Sequence, residues 1–136
     1  MRHRHYVSLL VARFDRGTGT LRFAGDYEGV AWCPWHGSAG RPEQNVIGET
    51  PGGEPVLGGE LALAPHDVLL LHTQGLTRSS DFEDAPIDPI HIAAELERRR
   101  ADPVDEIRDG VFRMVEQWSG RRADLSVIVG RCQGPR

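Results

Sequence analysis

Side chains able to do chemistry gather in four places. Gln74 stands between Thr73 and Gly75, just past the apolar run Val68-Leu69-Leu70-Leu71. Cys33-Pro34-Trp35-His36 offers one thiol and one imidazole, which with His3 and His5 earlier in the chain could be read as soft-metal ligands. Asp81, Glu83, Asp84 and Asp88 concentrate carboxylates, and Arg98-Arg99-Arg100 concentrates cations. A structural zinc site needs four ligands in closing pairs, so the loose Cys/His pair reads as loop residues around a packed tryptophan. The acidic cluster reads as a solvated loop that ends in a helix N-cap, and the arginines as cations suited to a helix C-terminus. Ser8, Ser38 and Ser79-Ser80 lack a Gly-x-Ser-x-Gly elbow, and Gly52-Gly53 and Gly58-Gly59 lack the Lys-Ser/Thr of a phosphate-binding loop. His72 is given no catalytic role. Gln74 remains as the unusual residue, a neutral amide where an apolar strand opens into a polar tail.

The elements that must position these residues follow from hydrophobic periodicity. Tyr6 to Phe14 is apolar at both parities, the pattern of a strand covered on two faces, and the Asp15-Arg16-Gly17-Thr18-Gly19 turn leads into alternating "TLRFA", which makes a hairpin. Residues 25–59 hold Pro34, Pro42, Pro51 and Pro55 among many glycines and read as a long irregular excursion with a short strand near Val30 to Trp32. "ELALA" (60–64) and "VLLLHT" (68–73), separated by Pro65-His66-Asp67, read as a second hairpin. Asp88-Pro89 and Asp102-Pro103 each set an N-cap acid before a first-turn proline, which predicts helices over about 89–100 and 103–119. "LSVIVG" (125–130) closes the chain as a buried strand. The expected fold class is α+β: a mainly antiparallel sheet or sheets with two helices on one side, in a single domain over residues 1–136.

Composition narrows the function classes. The 136 residues carry 16 Lys+Arg against 20 Asp+Glu, a formal charge of -4, which supplies no basic field for nucleic acid or anionic lipid. No apolar stretch approaches the ~20 residues of a membrane span, and the N-terminus lacks the apolar core of a signal peptide, so the expected compartment is the cytoplasm. Cys33 and Cys132 read as free thiols.

The order "LLVARFDRGTGTLRFA", a Gly/Pro-rich loop, "LALAPHDVLLLHTQGLTR", two helices and "ADLSVIVGR" resembles the second half of the PPM-type metal-dependent protein serine/threonine phosphatases. The likeness is to the bacterial branch typified by the sporulation stage II protein E, and it extends over nearly the whole chain. In that branch the strand reads Leu-x-Pro-Gly-Asp-x-Leu-Leu-Leu-Tyr-Thr-Asp-Gly-Leu-Thr-Glu, and the end reads Asp-Asp-x-Thr before an apolar strand. The resemblance implies part of an αββα sandwich in which two Mn²⁺ or Mg²⁺ ions, held by Asp carboxylates, activate water against a phosphoserine or phosphothreonine.

Carried over residue by residue, the resemblance puts Gln74 where the family has the Asp of Thr-Asp-Gly, flanked by the matching Thr73 and Gly75. It puts Ala123 at the first Asp of Asp-Asp-x-Thr, with Asp124 at the second and Ser126 at the Thr. The family's Asp-x-x-Gly-x-Gly segment and remaining ligands belong to a first half for which residues 1–136 have no counterpart. His66 replaces the glycine of Pro-Gly-Asp, and Gly25-Asp26-Tyr27-Glu28 stands where the family has Asn-Ala-Gly-His. A pair of divalent ions ~3.5–4 Å apart needs anionic oxygen ligands, so Gln74 and Ala123 imply a degenerate site, with no catalytic residue, no metal and no cofactor. The expected function is a catalytically inactive, phosphatase-like binding or regulatory module in anti-sigma-factor/antagonist signalling. A protein partner is expected, a homodimer is possible, and neither nucleic acid nor membrane is a partner. Two alternatives stand beside it: the C-terminal part of an active Mn/Mg-dependent phosphatase whose N-terminal half is missing or misannotated, and a self-associating structural module.

Overall fold

A computed structural model describes residues 9–25, 29–73, 87–118 and 125–133. Seven strands and two helices follow in chain order: β1 Leu10–Asp15, β2 Thr20–Gly25, β3 Val30–Cys33, β4 Asn45–Glu49, β5 Pro55–Ala62, β6 Val68–His72, α1 Pro89–Arg99, α2 Val104–Trp118 and β7 Val127–Arg131. The strands form two antiparallel sheets, one of four strands in the order β1-β2-β5-β4 and one of three in the order β3-β6-β7. The α+β class expected from periodicity is the class observed, with both helices on one side.

Two cores explain the layers. Between the sheets, Leu21, Phe23 and Leu61 of the four-stranded sheet meet Val30 of the other, with Trp32, Leu69 and Leu71 against them. On the opposite face of the three-stranded sheet, Ala31, Cys33, Val68 and Leu70 pack against Ile92 and Leu96 of α1 and Ile107, Val111 and Val115 of α2. β6 is therefore covered on both faces, which is why its residues are apolar at both parities. No described helix is long and apolar enough to cross a membrane.

The helices begin and end as their sequence directs. Asp88 caps α1, its Oδ1 accepting from Ile90 N at 2.9 Å ahead of Pro89. At the other end, Arg131 of β7 donates through Nη2 to Arg100 O and to Asp102 O, the latter at 2.6 Å, satisfying carbonyls that the helix leaves open. The helices meet where Gly110 of α2 faces Glu95 and Arg99 of α1; a Cβ there would meet Arg99 Nε and would lie 2.9 Å from Glu95 Oε1.

Three local expectations change. The stretch 25–59 is not an irregular excursion: it contains β3, β4 and the start of β5, with β4 and β5 joined through a turn in which Gly53 N donates to Thr50 O at 2.9 Å. "ELALA" and "VLLLHT" are not a hairpin, because β5 pairs with β2 while β6 pairs with β3 and β7 in the other sheet. β1 is not covered on two faces; Val11 to Asp15 are exposed.

Candidate functional site

Residues 73 and 126 sit at matching ends of adjacent strands. β6 and β7 pair from Val68↔Arg131 to His72↔Val127, so the chain leaves β6 beside the place where it enters β7. Beyond the last pair, Thr73 N donates to Ser126 O at 3.0 Å and Ser126 N donates back to Thr73 Oγ1 at 3.0 Å. The threonine hydroxyl thus works as a local cap that holds the two strand ends together. Gln74 follows Thr73 directly and Ala123 precedes Ser126 by three residues. Gln74, Gly75, Ala123 and Asp124 themselves lie outside the described residues. The described structure therefore brings Thr73 and Ser126 together, and in sequence the two positions that the resemblance equates with metal ligands stand one residue after Thr73 and three before Ser126.

His72, the last residue of β6, is buried on the helix side of the sheet. Its Nδ1 lies 3.0 Å from Thr73 O, and since a carbonyl only accepts, Nδ1 carries the proton. A cavity of about 40 Å³ beside it, lined by Gly40, Arg41, Pro89 and Ile92, has room for about one water.

The far end of β6 is held by a residue that sequence patterns did not single out. Asp67 is buried and its carboxylate accepts three hydrogen bonds: Trp35 N to Oδ1 at 2.9 Å, Ala64 N to Oδ2 at 2.9 Å, and Trp32 Nε1 to Oδ2 at 3.2 Å. It joins the end of β5, the loop after β3 and the start of β6. The signal that could have found it is its place in Pro-His-Asp, the counterpart of the family's Pro-Gly-Asp. The preceding His66 takes a φ of 74°, a left-handed conformation that favours glycine, and its ring packs on Trp35 with centroids 5.3 Å apart. That local strain accounts for a glycine at this corner in the family's motif.

The remaining candidates resolve into structural roles. Burial pushes the Cys33 thiol up despite the nearby Arg100, which makes it a poor thiolate and a core residue. Arg100 donates through Nη1 to Pro34 O at 2.8 Å and Trp35 O at 3.0 Å, so the Cys-Pro-Trp-His loop is tied to the end of α1. Arg98 and Arg99 pair with Glu95 at 2.6 and 2.5 Å. The arginine run is thus engaged inside the fold beyond any helix-end role. An open cleft of about 800 Å³ lies at the β7 end marked by Arg131 and Cys132, away from Thr73 and Ser126, with Phe14, Leu63 and Pro65 on its walls.

Among the described residues, no three His, Cys, Asp or Glu side chains come close enough to hold a metal ion. At the two equated positions the sequence offers an amide and a methyl. Hard divalent ions select carboxylate oxygen, so this donor set does not fit a two-metal centre.

The fold has solved counterparts. It superposes on the phosphatase domain of the cell fate determinant SpoIIE from Bacillus subtilis, Mn presoaked, with a TM-score of 0.74 at 16% identity, covering 96% of this chain and 58% of that one. The RsbU and RsbW domains of a Mycobacterium tuberculosis protein match with a TM-score of 0.73 at 17% identity, covering 93% and 36%. The SiaA-PP2C domain of Pseudomonas aeruginosa matches with a TM-score of 0.67 at 19% identity, covering 90% and 50%. This chain therefore spans less than two thirds of each, and at these identities the likeness is one of fold. No curated protein sequence matches the chain. The presoaked Bacillus subtilis domain corrects one expectation: a domain of this kind has been prepared with Mn, so the absence of any cofactor does not stand. The model of the family described as stage II sporulation protein E (SpoIIE) matches residues 1–133, nearly the whole chain. With its fold and its sequence pointing the same way, this chain belongs to the SpoIIE family.

Proposed function

We propose that the chain is the C-terminal portion of a PPM-type serine/threonine phosphatase domain that works as a binding and regulatory module, without catalysis of its own. The observation that supports this reading is the residue type at the two equated ligand positions, Gln74 one residue past Thr73 and Ala123 three before Ser126, the two residues that the strand-end clamp joins. Two-metal phosphoryl chemistry requires anionic ligands to offset the mutual repulsion of the ions. Gln74 offers one neutral oxygen and Ala123 none, so neither equated position supplies the charge that a metal ligand would. The presence of RsbU and RsbW domains in the Mycobacterium tuberculosis neighbour supports a protein partner; we place that partnership in anti-sigma-factor/antagonist signalling in a bacterial cytoplasm. Incubation with a phosphoserine peptide and Mn²⁺ or Mg²⁺ tests the reading. Phosphate release at the protein-free rate is expected; metal-dependent release above it overturns the proposal.

The coverage of 58% of the Bacillus subtilis domain favours a second reading, in which a further segment supplies the rest of an active phosphatase. An in-frame Asp-x-x-Gly-x-Gly segment ahead of Met1 would distinguish it. Gln74 and Ala123 weigh against ordinary activity even then.

A further inference from the structure

We draw no further inference here: the strongest candidate, the open cleft of about 800 Å³ walled by Phe14 of β1, Leu63, Pro65 and the end of β7, is lined by the edge strands of both sheets in a chain that spans 58% of the Bacillus subtilis domain, and nothing in the structure shows what covers it.

Discussion

Replacing Asp67 tests whether one buried carboxylate sets the start of β6. Its Oδ1 accepts from Trp35 N at 2.9 Å, and its Oδ2 from Ala64 N at 2.9 Å and Trp32 Nε1 at 3.2 Å. A hydrogen bond to a charged acceptor contributes about 1.5–3 kcal/mol net, and a buried donor left without a partner costs about 1–3 kcal/mol. Asp67→Ala leaves all three donors without that acceptor, and since the indole bond is the longest, a loss of about 4–5 kcal/mol is expected. Asp67→Asn keeps one oxygen for Trp35 N but turns an NH₂ toward the other two donors, for a loss of about 2–4 kcal/mol. A domain stabilised by about 5–15 kcal/mol survives the second change and barely survives the first. Urea unfolding followed by tryptophan fluorescence is the assay, because Trp32 and Trp35 report on the site itself. At about 3–5 °C per kcal/mol, Asp67→Asn should lower Tm by roughly 10 °C. A loss below about 1 kcal/mol for both variants would refute the assignment of Asp67 as the joint between β5, the loop after β3, and β6.

Two further predictions bear on the helix pair and on the clamp. At Glu95, burial raises the carboxyl pKa, but the hydrogen bonds from Arg98 and Arg99 outweigh it and hold the group below its ordinary value. A carboxyl depressed in the folded state stabilises above its unfolded pKa, and that contribution disappears as pH falls through the folded value. Glu95→Gln should therefore cost about 1–2 kcal/mol at neutral pH and progressively less below about pH 4; a cost that persists undiminished in acid contradicts the ion-pair account. Thr73→Val removes the acceptor of the Ser126 N bond at 3.0 Å while leaving Thr73 N to Ser126 O in place. Because the pair is exposed, a local cost of about 1 kcal/mol is expected, seen as roughly fivefold faster amide exchange at Ser126 with little change in Tm; unaltered exchange would show that the clamp does not form.

Where local chemistry decides an element, the sequence alone is enough to read it. Asp88-Pro89 opens α1 and the Gly17-Thr18-Gly19 turn makes the β1–β2 hairpin, because an N-cap and a tight turn are set by the residues that form them. Sheet membership is not local. "ELALA" and "VLLLHT" flank a turn signal whether or not they pair, and what separates them is that Leu61 packs between the sheets while Leu70 packs against the helices. The glycines of 52–59 read as loop for a similar reason: Gly58 and Gly59 are strand residues whose missing side chains make room for Phe23, Ile47 and the Glu43 carbonyl, contacts invisible along the chain.

The same division runs through the candidate site. Residue type at 74 and 123 is a fact of sequence, and without a fold two neutral residues 49 positions apart carry no joint meaning. The pairing of His72 with Val127 and the reciprocal bonds between Thr73 and Ser126 join the two strand ends from which, in sequence, position 74 is one residue away and position 123 three. A single neutral substitution there could be offset by a neighbouring carboxylate. Neither an amide nor a methyl supplies the anionic oxygen that hard divalent ions select, and the pairing of β6 with β7 is what gives positions 74 and 123 a common bearing on that question.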